Sequence, residues 1–96
     1  MTPKTKKQAK TPPSSLASAI ILIEVLPKEH FNVLQIVKRD LEKIDGIKDI
    51  CGIFGAWDLS AIIEEESFEA LKTKVVDEIR AVPGVGKTET LLRFPI

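Results

Sequence analysis

An α+β sandwich built in the order β-α-β-β-α-β is the fold class that this 96-residue sequence predicts. Three observations predict it. Two segments repeat apolar residues at helical spacing, and four others read as strands. The segments alternate in an order that returns the chain twice to one sheet. Two stretches, LEKIDGIK (residues 41–48) and IRAVPGVG (residues 79–86), also share the pattern apolar-x-x-apolar-x-Gly-apolar. In both, a helix ends, a glycine turns the chain and a strand begins, so the two halves read as versions of one βα unit. Two right-handed crossovers in one sheet then give a ferredoxin-like split βαβ sandwich.

The first strand is ASAIILIEVL, residues 17–26, a mostly apolar run between Ser15 and Pro27. Phe31, Leu34, Val37, Leu41 and Ile44 follow at spacings of 3, 3, 4 and 3, an apolar helical stripe that Gly46 stops. A second strand is expected from Ile47 to Phe54 and a third from Asp58 to Glu64. Phe68, Leu71, Val75, Ile79 and Val82 form the second helical stripe, with Ser67 placed to cap it. The last strand is expected from Val85 to Phe94.

Two helices cover one face of such a sheet, and the composition of the first strand bears on the other. Ala19, Ile21, Ile23 and Val25 alternate with Ile20, Leu22, Glu24 and Leu26, so both faces are largely apolar. A sheet with one solvated face shows cleaner alternation. An apolar second face on a small chain marks an interface. The expectation is a sheet-to-sheet dimer of the dimeric α/β barrel type.

Residues 1–15 hold Lys4, Lys6, Lys7 and Lys10 and no acid, whereas 16–96 hold 10 basic and 14 acidic residues. The tail is nearly devoid of apolar side chains and is expected to be a disordered, basic leader to a domain at 16–96. One cysteine rules out an internal disulfide, which fits a reducing, cytoplasmic setting. No run of 18 apolar residues is present, so no membrane span is expected.

Several motifs carry a plainer reading than their chemistry suggests. AVPGVGKT, residues 81–88, resembles a phosphate-binding loop. Such a loop needs a strand before it and a helix after it, and here the order is reversed. His30 is the single histidine and finds no second metal ligand, so neither a metal nor a cofactor is expected. Cys51 lies in an apolar strand and reads as packing. Glu64, Glu65 and Glu66 precede a helix and read as favourable to its dipole. An RNA-binding sheet needs aromatics in a basic surround, and the folded part is acidic.

GAWD, residues 55–58, is different. It places the single tryptophan beside a carboxylate and behind a glycine. One reading is a hairpin turn whose Trp57 plugs a core edge and whose Asp58 caps turn amides. The other is a site for a zwitterion. Gly55 permits close approach to bare backbone, whose amides can hold a carboxylate. Asp58 can accept from an ammonium group, and Trp57 can cover an apolar side chain.

The segment from 18 to 94 resembles the ligand-sensing domain of the Lrp/AsnC transcription regulators. The resemblance rests on the element order, the Gly-x-aromatic-Asp turn as GAWD, the IRAVPGV run closing the second helix, and Thr88-Glu89-Thr90 opening the last strand. It implies a domain that binds a small effector, mostly an amino acid, and that assembles into dimers and then rings, often octamers. It implies a site lined by Gly55, Ala56, Trp57 and Asp58, with Thr88 and Thr90 near it and Phe68 flanking. Two kinds of partner are open for such a domain: full-length Lrp/AsnC regulators with which it co-assembles, or another protein to which it presents its effector state. Only about 15 residues precede the first strand in this sequence, so a stand-alone sensing domain without a helix-turn-helix, and without direct sequence-specific DNA binding, is expected. Two other classes remain open at this stage: a small dimeric α/β barrel enzyme, and an assembly module without a ligand.

Overall fold

The computed structural model describes residues 17–26 and 31–96. The expectations for the basic tail, Ser15, Pro27 and His30 fall outside these residues. Four strands and two helices follow in the expected order: β1 (Ala17–Val25), α1 (Phe31–Leu41), β2 (Ile47–Gly52), β3 (Leu59–Glu65), α2 (Phe68–Lys74) and β4 (Val85–Arg93). The sheet order is β2-β3-β1-β4, antiparallel throughout. The most apolar strand therefore lies inside the sheet, where both of its edges are hydrogen-bonded.

Alternation along β1 sorts the two faces. Ala19, Ile21 and Ile23 are completely buried beneath the helices, together with Val37 and Leu41 of α1, Ile63 of β3, and Leu71 and Ile79 from the second helical segment. This is the layer the two helical stripes were expected to build. Ile20, Leu22 and Ile62 point to the opposite face and are half-buried, and Leu91 beside them is 41% exposed. Ile20 pairs with Ile62 on one side and Leu91 on the other, so three large apolar side chains form one row across the bare face.

The helices are shorter than their apolar stripes. α1 stops at Leu41, and turns carry the chain to Gly46, where φ is +91°. A Cβ there would lie 2.5 Å from Glu65 Oε2 and 2.7 Å from the Glu64 carbonyl oxygen, so glycine is required by space as well as by conformation. Ser67 caps α2 as expected, its hydroxyl accepting from the Ala70 amide at 3.0 Å. Beyond Lys74 the helix widens into a π turn, Val75–Ile79, in which the Arg80 amide donates to the Val75 carbonyl at 3.0 Å.

Two irregularities shape the sheet. Asp49 and Ile50 of β2 oppose a single residue of β3, with Asp49 at φ 49°, which makes a bulge on an edge strand. On the other side, Gly86 and Lys87 of β4 face Glu24 of β1 at a shift in register. The Glu24 carboxylate fills that gap and accepts from the Lys87 amide at 3.1 Å. Cys51 is exposed on the bare face rather than packed, because the bulge sets it opposite Ser60. The acidic run also differs from expectation. Glu64 pairs with Lys48 at 2.8 Å and Glu65 with Lys74 at 3.4 Å, so these two carboxylates tie elements together rather than serve a helix end.

Candidate functional site

The β2–β3 connection, residues 53–58, is closed by one hydrogen bond of its own and held to the end of β1 by two more. The Ile53 amide donates to the Asp58 carbonyl at 3.0 Å, and the Asp58 amide donates to the Ile23 carbonyl at 2.9 Å. The Val25 amide donates to Asp58 Oδ2 at 2.8 Å. That oxygen stands where a backbone carbonyl would continue the β1–β3 ladder, so Asp58 extends the pairing one step past the strand. The sequence offered two roles for this carboxylate, an ammonium acceptor or a cap on its own turn. The bond observed goes instead to a neighbouring strand. Each carboxylate oxygen accepts in two directions, so capacity for a ligand remains.

Around Asp58 the loop is open. Trp57 is half-buried, whereas Gly55 and Ala56 are exposed. Gly55 has φ +121°, and a Cβ built there meets nothing within 4 Å. Its backbone is thus accessible to a ligand or to a second protein surface. Phe54, just before it, is fully exposed.

Thr88 and Thr90 lie elsewhere. They pair with Ile23 and Ile21, on the opposite edge of β1 from the strand that ends the GAWD loop. This register turns both hydroxyls toward the helical layer, beside two completely buried isoleucines. There they line a groove of about 430 Å³ between α2, the π turn and β4. Its walls are Phe68, Leu71, Val75, Val76 and Leu92, and its other polar groups are Lys72 and Arg80. Thr88, Thr90 and Phe68 are therefore brought together, while residues 55–58 are not part of this groove within one chain. Lys72, Val76 and Arg80 were missed in the sequence. Their signal is the strict four-residue series Phe68, Lys72, Val76, Arg80, which the deeper stripe of Leu71, Val75 and Ile79 masked.

At the rim of the bare face, Lys48 Nζ donates to Glu64 Oε1 at 2.8 Å. That hydrogen bond, and then the charge of Glu64, raise the Lys48 pKa above its ordinary 10.5. A raised lysine pKa favours the fold below the ordinary value and ceases to do so as pH rises past the folded one, so this pair is constant across neutral pH. Among the described residues no cluster of His, Cys, Asp and Glu suits a metal ion, and no helix is long and apolar enough to cross a membrane.

Residues 18–94 match the family described as the Lrp/AsnC ligand binding domain. An uncharacterized HTH-type transcriptional regulator of Pyrococcus abyssi is 31% identical over 77 residues, covering 80% of this chain and 51% of that protein. The chain thus spans about half the length of the curated relatives it matches. A solved structure from Thermus thermophilus superposes with a TM-score of 0.71 at 26% identity, covering 83% of this chain and 95% of that one. A feast or famine regulatory protein from M. tuberculosis, complexed with L-methionine, superposes with a TM-score of 0.70 at 20% identity, covering 85% and 52%. With the ferredoxin-like order, the GAWD loop and the paired threonines in place, this chain belongs to the Lrp/AsnC ligand-binding domain family.

Proposed function

We propose that this domain binds an amino-acid effector and assembles with itself, and that it acts on transcription in concert with full-length regulators of its family rather than as an enzyme. The observation that carries this reading is the family match over residues 18–94. The L-methionine complex of a related fold is consistent with the ligand class. The apolar row of Ile20, Ile62 and Leu91, with Leu22 beside it, supports a sheet-to-sheet dimer, since exposed apolar area of this kind is uncommon on monomers.

In this reading the effector lies against Gly55, Ala56, Trp57 and Asp58 of one copy, and Thr88 and Thr90 come from another. The separation of the two sets within a single chain supports a site shared between copies. The backbone about Gly55 and the threonine hydroxyls would hold the carboxylate, Asp58 the ammonium, and Trp57 the side chain. A charge-assisted hydrogen bond contributes about 1.5–3 kcal/mol, so Asp58→Ala is expected to weaken effector binding by roughly ten- to more than a hundredfold. The test is a titration of the twenty amino acids followed by Trp57 fluorescence. Because Oδ2 also holds the Val25 amide, Asp58→Asn is the second variant. Its amide oxygen can keep that bond but loses the charge. Weak binding by both variants supports the ammonium role. Full binding by Asp58→Asn rejects it, and failure of the wild type to bind any amino acid rejects the effector reading.

A further inference from the structure

We propose that the bare face of the sheet takes a second copy of this chain in one orientation, fixed by reciprocal Glu89–Arg93 ion pairs. The two-fold axis runs across the strands at the level of Leu91. This rests on the sheet-to-sheet dimer reading and adds to it the symmetry and the residues that select it.

Strand register lays out the bare face in rows. Thr88, Thr90 and Leu92 line the helical side, so Glu89, Leu91 and Arg93 turn the other way. Leu91 stands in a row with Ile20 and Ile62, Glu89 with Leu22 and Ser60, and Arg93 with Ser18 and Glu64. The apolar row therefore separates Glu89 at one end from Arg93 at the other.

Neither charge is matched within one chain. Glu89 is exposed, and its carboxylate has no hydrogen bond or ion pair among the described residues. Arg93 Nη1 donates to the Ser18 hydroxyl at 3.3 Å, but among those residues Arg93 makes no ion pair. Glu64, the acid in its row, is held by Lys48 at 2.8 Å. Glu89 and Arg93 are four residues apart on one strand, about 13 Å, too far to meet each other.

Two identical sheets face to face have two simple two-fold axes. An axis along the strands matches like ends and brings opposite edges together. β4 then lies over the partner's β2, and Glu89 loses water opposite Cys51, which shares its row. No cation repays that loss. An axis across the strands lays each edge over its own counterpart and exchanges the ends. Leu91 then meets its own copy, and Glu89 of each chain meets Arg93 of the other. A two-fold interface repeats every contact of one residue with another in reverse, so this one match supplies two ion pairs. Packed sheets lie about 10 Å apart, a gap that these two long side chains bridge. Charge matching of this kind sets orientation and partner choice more than raw affinity.

The test uses the full chain. Glu89→Arg and Arg93→Glu are each expected to weaken the dimer by roughly tenfold or more, because each sets two like-charge contacts in the interface. The double variant is expected to return to near the wild-type constant. Sedimentation equilibrium reads the constants. Both side chains are exposed, so far-UV dichroism is expected to be unchanged in all three variants. Geometry is read separately. In a Cys51→Ser background, Leu91→Cys is expected to cross-link between copies with a short bismaleimide, because position 91 lies at the axis. An axis along the strands would set the two thiols on opposite edges, three strand spacings or about 14 Å apart sideways. Absence of the cross-link in a protein that sediments as a dimer overturns the proposal. So do single variants that dimerise like the wild type, or a double variant as weak as either single one. Each of these results leaves the sheet-to-sheet dimer and the effector reading standing, so they fail separately from this orientation.

Discussion

Gly84→Ala is expected to be among the most destabilising single substitutions in the domain. Gly84 has φ +97°, a conformation that costs an L-residue about 1–2 kcal/mol. An added Cβ would also lie 2.7 Å from Val37 Cγ2, and Val37 is completely buried in the core. Forcing an extra carbon into a packed site costs about 1–3 kcal/mol more. The Gly84 carbonyl accepts from the Leu26 amide at 2.8 Å, so the turn cannot retreat without breaking a bond to the end of β1. Together these give about 2–5 kcal/mol, a large share of the roughly 5–15 kcal/mol that holds a small domain folded. Gly55→Ala is the control. Its φ is also positive, but no atom lies within 4 Å of the added carbon. Only the backbone term applies there. Urea unfolding of both variants separates the two effects. Equal losses would mean that the contact with Val37 relaxes freely and that the packing argument fails.

Leu22→Lys is expected to convert the protein to smaller species without unfolding it. Leu22 stands on the bare face between Ser60 of β3 and Glu89 of β4, next to the row of Ile20, Ile62 and Leu91. In a free chain the lysine is solvated, so the fold tolerates it. In a face-to-face dimer the ammonium loses its water, and burying a charge without a dedicated partner costs several kcal/mol. Sedimentation velocity at micromolar concentration reads the mass, and far-UV dichroism confirms the fold. An unchanged mass would place the assembly surface elsewhere. A monomeric wild type would remove the interface altogether.

The secondary structure was legible because it follows from periodicity. Spacings of three and four place Val37, Leu41, Leu71, Val75 and Ile79 on the core side, and the structure buries all five. Strand ends were set less well, because hydrogen bonding rather than hydropathy decides them. The second strand stops at Gly52 instead of Phe54, since the Ile53 amide turns to the Asp58 carbonyl and Phe54 swings into solvent. The extra residue at Asp49 was invisible for the same reason. A bulge changes register without altering the apolar count.

The sequence by itself determined the element order, the glycines that end the two halves, the Ser67 cap and the two-sided apolar character of β1. Each of these depends on residues close together in the chain, where spacing and local conformational preference act directly. The tertiary structure alone decided what Asp58 touches, that the threonines face the helical layer, and that Arg80 joins them. Those facts depend on sheet register, on a π turn and on which strand lies between which. Asp58 and Val25 are 33 positions apart, and no local spacing encodes a hydrogen bond across that separation. It exists because β1 lies between β3 and β4 and offers one edge to each, so the GAWD loop and the paired threonines meet the same strand from opposite sides.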